Sequence, residues 1–248
     1  LMTRDLPPKR RQVIYIPLSD QNAPTGGFAK ELRDAKVPAH ALEVRLAEAA
    51  SKKRKVLVEL VTDALDAGQK IAIFTSRRRD VDKLGDVLRK DPSPEGARIF
   101  ATHGADAPAK RDEIREEFMA QKGACALVAT GDSMGEGVNL NDCDPVYFAG
   151  LPWTPGQVRQ WEGRFHRKNQ TKPVLYVYLI AERTADDHVA AVLLEKLPPV
   201  DATVADEELG GLAADFQGDP EALVASLVSK IVGSGSTEAQ ANAAAIPT

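Results

Sequence analysis

Apolar residues along this chain switch repeatedly between two periods. From residue 38 to 67 they recur at helical spacing, with Leu42, Leu46 and Ala49 on one face and Leu57, Leu60, Val61, Ala64 and Leu65 on another. Gly68 stands where such a helix would stop. Directly afterwards Ile71-Ala72-Ile73-Phe74 is a continuous apolar run, as expected of a strand covered on both faces. The alternation then continues: a helix over 79–90 (Val81, Leu84, Val87, Leu88), a strand at 98–101, a helix at 108–120, strands at 125–129 and 145–149, a helix at 155–165, a strand at 174–180 and a helix from 185 to about 197. Ahead of these, residues 12–18 read as a short strand rich in β-branched and aromatic residues, which Pro17 limits to an edge or an end. This order predicts an α/β domain, a doubly wound parallel sheet with helices on both faces. Ligands of such sheets bind beyond the carboxyl ends of the strands, here in the loops after residues 74, 101, 129 and 149.

A chain of 248 residues has room for one large domain whose core is stable without staples. Residues 1–20 read as a linker plus the edge strand, with the basic run Lys9-Arg10-Arg11 in the linker; residues 21–197 form the α/β lobe. Residues 198–248 are expected to be an acidic, partly disordered tail with a short helix around 220–232. Cys125 and Cys143 are too few for a disulfide framework and have no metal-ligand spacing. No apolar run approaches the roughly 20 residues that span a bilayer, and the N-terminus lacks a signal-peptide pattern, so an intracellular protein without a membrane partner is expected. The formal net charge of -4 argues against wholesale coating of nucleic acid, which shifts attention to local patches. Lys52-Lys53-Arg54-Lys55 reads as an exposed helix face. Arg77-Arg78-Arg79 opens a helix, where three cations oppose the dipole, and phosphate contact would explain them.

The candidate chemistry lies between Ala124 and Arg167. A buried strand leads into Thr130-Gly131-Asp132-Ser133-Met134-Gly135-Glu136-Gly137-Val138-Asn139-Leu140; a second strand leads into Trp153-Thr154-Pro155 and Gln160-Trp161-Glu162-Gly163-Arg164-Phe165-His166-Arg167. On a continuous helix Gln160, Arg164 and Arg167 fall at i, i+4 and i+7 and would share a face.

This block resembles the C-terminal motifs of the helicase superfamily that includes the Swi/Snf remodellers, and the overall pattern is closest to the annealing-helicase subgroup. Gly135-Glu136-Gly137-Val138-Asn139-Leu140 is similar to the family's Gly-x-Gly-x-Asn-Leu, Gln160 to Arg167 to its Gln-x-x-x-Arg-x-His-Arg, and Trp153-Thr154-Pro155 to its Trp-Asn-Pro. The resemblance covers roughly residues 5–190 and takes in Leu6-Pro7-Pro8-Lys9, Ile73-Phe74-Thr75-Ser76, Thr102-His103-Gly104 with Arg111 and Phe118, and Thr184-Ala185-Asp186-Asp187. It implies a RecA-like C-terminal motor lobe of an ATP-dependent DNA translocase, hence a hydrolase acting on ATP. The catalytic residues would be Arg164 and Arg167, acting as arginine fingers, together with Gln160. Gly135, Gly137 and Asn139 would be ATP-binding, and Ser76, Arg77, Gly104, Thr130 and Gly131 would touch nucleic acid. Such a fork matches charge that spreads over a transferring phosphoryl group in a geometry lysine does not supply. The chain departs from the pattern at Asp132, where the family has a basic residue, and at Asn169, where it has Gly.

No Gly-x-x-x-x-Gly-Lys-[Ser/Thr] occurs, and Asp112-Glu113 opens a predicted helix instead of ending a buried strand, so ATP and Mg²⁺ are expected to be held mainly by a missing first lobe. That N-terminal RecA-like lobe of the same full-length protein is the expected partner, together with nucleic acid, duplex DNA in the first instance; Leu1 suggests a fragment, and no metal ligand is assigned to this chain. The alternative is a degenerate, non-catalytic lobe that binds nucleic acid or a partner, which Asp132 favours and the paired arginines oppose. A nucleotide-binding Rossmann enzyme is set aside because no Gly-x-Gly-x-x-Gly stands at a first strand–helix turn.

Overall fold

Among the described residues, six strands, all paired in parallel, form a single sheet in the order β1-β6-β5-β2-β4-β3. They are β1 (Lys9–Ile16), β2 (Lys70–Thr75), β3 (Arg98–Thr102), β4 (Cys125–Thr130), β5 (Val146–Phe148) and β6 (Val174–Ala181), interleaved with helices α1 (Pro38–Asp66), α2 (Arg78–Lys90), α3 (Pro108–Ala120), α4 (Pro155–Glu162) and α5 (Ala185–Glu195). This is a computed structural model, and it describes residues 9–17, 35, 38–90, 96–134, 140, 142–152, 155–166 and 173–195. The predicted tail beyond 198 lies outside them, as do Leu6 to Pro8.

Side chains of successive strand residues alternate between two cores, the consequence of the strand period of two. Ala72, Phe74, Leu127, Ala129, Phe148, Tyr176 and Tyr178 belong to one core, with Phe118 of α3, Val158 and Trp161 of α4 and Val189 of α5. Ile71, Ile73, Ala126, Val128, Tyr147, Val177 and Leu179 belong to the other, with Leu57, Val61 and Leu65 of α1 and Val81, Leu84 and Leu88 of α2. The two apolar faces read on α1 part accordingly: Leu42 joins the first core and Leu57 the second. Gly68 ends α1 with φ at 77°, a conformation that L side chains rarely adopt, and its N–H donates to Leu65 O at 2.9 Å.

Three expectations need correction. The basic run is not linker but the first part of β1, whose ladder with β6 starts at Lys9 opposite Val174. The helix expected over 155–165 stops at Glu162, because Gly163 turns the chain and Phe165, fully buried, pulls it back into the core. Lys53 is not on an exposed face: it is 1% exposed, and its ammonium donates to Asp186 Oδ2 at 2.7 Å and Leu179 O at 2.8 Å. The sequence held that signal, since Lys53 continues the stripe Leu46, Ala49, Leu57 at helical spacing. This ion pair joins α1 to the start of α5.

Candidate functional site

Among the described motif residues, Gly131, Trp161 and Arg164 meet around the end of β4. There the chain leaves Thr130 and makes a short 3-10 turn over Gly131–Met134. Ser133 steadies that turn by donating its hydroxyl to Thr130 O at 2.7 Å, and Arg111 of α3 approaches Ser133 O at 3.4 Å. Gly131 has no side chain for a visible reason: a Cβ there would overlap the Trp161 indole. Trp161 is 2% exposed, stacks on Phe148 with centroids 6.2 Å apart and meets Phe74 edge-on at 5.7 Å. It is therefore a packing residue and not a surface for stacking bases.

Arg164 fastens the segment from Gly131 to Leu140 at both ends. Its guanidinium Nη1 donates to Gly131 O, and its backbone carbonyl accepts the N–H of Leu140 at 2.9 Å. Leu140 is itself fully buried. The loop that contains Gly135, Gly137 and Asn139 thus starts and finishes on one residue of the arginine turn, although those three positions lie outside the described residues, as do Trp153, Thr154 and Arg167.

The expectation that Gln160 and Arg164 point the same way fails. Gln160 is exposed on α4, whereas Arg164 is 4% exposed and lies beyond the helix end, so the i, i+4 relation does not apply. Helical spacing is informative only while the helix continues, and Gly163 interrupts it.

Of the five residues expected to touch nucleic acid, Ser76 and Gly104 remain at least partly open at strand ends. A Cβ on Gly150 would come within 2.6 Å of the Ser76 amide nitrogen, so Gly150 is what lets β2 and β5 end side by side. Arg77 is engaged at its own helix start, with Nη2 2.6 Å from Asp80 Oδ2; that carboxylate offsets the cations at the dipole's positive end. Arg78 and Arg79 are exposed. Thr130 and Gly131 are buried, Gly131 beneath Trp161, and neither presents itself to a phosphate in this arrangement.

The sequence reading missed the group under the arginine turn. Glu162, with no solvent exposure, accepts the Arg11 fork at 2.6 and 2.7 Å and the Tyr178 hydroxyl at 2.6 Å. Burial pulls the Arg11 pKa down, but the hydrogen bond and charge of Glu162 outweigh it and the net shift is upward. Burial first, then the Glu162 charge, push the Tyr178 hydroxyl well above its ordinary value. No spacing in the sequence signals a contact between residues 151 positions apart.

Comparison with known proteins gives a consistent result. The helicase conserved C-terminal domain matches residues 52–169. The SWI/SNF-related matrix-associated actin-dependent regulator of chromatin subfamily A-like protein 1 of Xenopus tropicalis is 27% identical over 201 residues, covering 77% of this chain and 21% of that protein. Helicase ssl-1 of Caenorhabditis elegans is 30% identical over 176 residues, covering 71% of this chain and 7% of its own length. The chain thus spans about a fifth of the first relative and less of the second. Among solved structures, the Sulfolobus solfataricus SWI2/SNF2 ATPase core in complex with dsDNA superposes with a TM-score of 0.57 at 20% identity, over 78% of this chain and 45% of that one. The C-terminal part of the Fun30 ATPase domain gives 0.54 at 19% identity, over 74% and 54%. At these identities the structures establish the fold: an α/β RecA-like sheet of the kind found in SNF2 ATPase cores.

Proposed function

Because the chain carries a helicase conserved C-terminal domain and its homologues are SWI/SNF-related helicases, we propose that it is the second motor lobe of an ATP-dependent DNA translocase. ATP and Mg²⁺ are held mainly by a first RecA-like lobe, and residues 1–20 carry the connection between lobes into β1. Closure of the two lobes brings Arg167 toward the phosphates, where its guanidinium compensates developing negative charge. Gln160, exposed on α4, lines the same approach. Arg164 is assigned a different part from the one its motif position suggests. With its guanidinium on Gly131 O and its carbonyl on the Leu140 N–H, it ties Gly131 and Leu140 to the arginine turn.

The observation that carries this reading is that double attachment. A movement of the arginine turn on ATP binding reaches the loop directly, and through Gly131 it reaches the carboxyl ends of the strands where nucleic acid is expected. Ser76, Gly104, Arg78 and Arg79 form the proposed contact surface for a duplex backbone. Thr130 and Gly131, both buried and Gly131 beneath Trp161, lie outside this proposed surface.

The test uses a protein that contains both lobes. Arg167→Ala should lower DNA-stimulated ATP turnover by about 10³- to 10⁵-fold, the range of arginine fingers in related NTPases, with nucleotide binding largely kept. Normal turnover by that variant would remove the finger assignment.

A further inference from the structure

Burying a carboxylate is costly unless its oxygens are paired with good geometry. Glu162 meets that condition from several elements at once. Arg11 of β1 donates Nε to Oε1 at 2.6 Å and Nη2 to Oε2 at 2.7 Å, a fork whose direction is fixed by the planar guanidinium. Lys9 Nζ lies 3.9 Å from Oε2, and the Tyr178 hydroxyl of β6 donates to Oε1 at 2.6 Å. The other end of the residue is held as well. The Glu162 carbonyl accepts the Tyr176 hydroxyl at 2.8 Å and the N–H groups of Phe165 and His166 at 3.0 and 3.3 Å.

Glu162 is the last residue of α4, and the four residues after it make the turn that contains Arg164 and from which the chain continues to Arg167. The carboxylate is fixed to β1 and β6, while the carbonyl shapes the turn. Among the described residues β1 lies at the edge of the sheet and pairs with β6 alone, so there it is held by one ladder instead of two. A displacement of the start of β1 therefore bears on Glu162 through Lys9 and, by its fork, Arg11.

We propose that Glu162 is a positioning residue for the arginine turn and that Arg11 acts through it, so that the seating of β1 sets the geometry of residues 163–166. This rests, for its effect on ATP turnover, on the reading of Arg167 as a finger; its effect on the turn does not. Networks of this kind in a water-poor interior couple their members more strongly than separate contacts do. The lobe connection and the arginine turn are then one mechanical unit, although 151 residues separate Arg11 from Glu162 in sequence.

Two measurements distinguish the outcomes. Amide hydrogen exchange of the chain itself, with Arg11→Gln and with Glu162→Gln, is expected to speed up about tenfold or more at residues 163–166 and less than about twofold in β2 and β4, since local opening is independent of global unfolding. Unchanged protection at the turn overturns the proposal, and so does a uniform rise, which would mean lost stability alone. In the two-lobe protein, Arg11→Gln should lower kcat about 10- to 100-fold, the scale of a small misplacement of a catalytic group, with KM for ATP little changed. Arg11→Lys, which keeps the charge without the fork, should recover part of the loss. If Arg167→Ala turns over ATP normally, the finger reading fails and the exchange data alone judge the turn. If Arg167→Ala is inactive but Arg11→Gln has the parent kcat, the positioning proposal fails.

Discussion

Replacing Gly131 by alanine adds one methyl group to a place already filled. A Cβ at this position falls within 3.0 Å of three atoms of the Trp161 ring, a distance real Cβ atoms essentially never show. Positive φ occurs at Gly68, Gly96 and Gly123 but not at Gly131, so the cost of alanine here is one of packing and not of backbone strain. Relief is hard to find: the indole is rigid, stacks on Phe148 and abuts Phe74, and is 2% exposed. Inserting a methyl group into a well-packed core costs about 1–3 kcal/mol, and a ring that cannot retreat puts this site near the upper end. For a domain of this size each kcal/mol lowers Tm by about 2–4 °C, so a fall of roughly 6–12 °C is expected by calorimetry. Urea unfolding should give the same ΔΔG with an unchanged slope if only the native packing is affected. Combining Gly131→Ala with Trp161→Leu tests the cause: the double variant should be more stable than the sum of the singles by at least about 1 kcal/mol, the sign of a shared clash. A Tm within about 2 °C of the parent for Gly131→Ala would refute the packing argument and return Gly131 to the candidates for direct nucleic-acid contact.

Three further outcomes are expected. Asp186→Ala leaves the Lys53 ammonium buried without its carboxylate and should cost about 3–5 kcal/mol in urea unfolding, with part of that recovered by adding Lys53→Met; a loss under about 1 kcal/mol would show that the pair contributes nothing special. Burial alone would raise the Asp106 pKa, but hydrogen bonds from Lys110, the His103 amide and Thr102 outweigh it and lower it from 3.8 to about 2. Its folded value lies below its unfolded one, so the linked stability is complete above about pH 4 and is lost as pH falls toward about 2. Asp106→Asn should flatten the acid limb of stability against pH, and an unaltered limb would refute the assignment. Arg78→Ala and Arg79→Ala should each reduce the slope of log affinity for duplex DNA against log salt by about 0.9, whereas unchanged slopes would remove the α2 start from the nucleic-acid surface.

The fold was legible because its signals are local and strong. Ile71 to Phe74 and Cys125 to Ala129 are unbroken apolar runs between helices with clear periodicity, and burial on two faces leaves such runs few alternatives. Errors gathered where a single residue interrupts a pattern. Helical spacing grouped Arg164 with Gln160, yet Gly163 ends the helix and sends the two side chains to different environments. Lys53 shows the opposite case: its place in an apolar stripe was visible, but a run of four basic residues reads as a solvated face until a buried carboxylate is found to meet it.

The sequence by itself determined the order of elements, the two-sided sheet and the presence of the helicase motifs, because hydrophobic period and motif spacing act over a few residues and carry their meaning along the chain. Only the tertiary structure decided what the motif residues touch. That Gly131 lies under Trp161, that Arg164 joins both ends of the loop and that Arg11 reaches Glu162 all depend on how β1, β4, α4 and β6 are set side by side. Contacts between residues far apart in sequence exist only once the sheet has brought them together, and no local spacing encodes them.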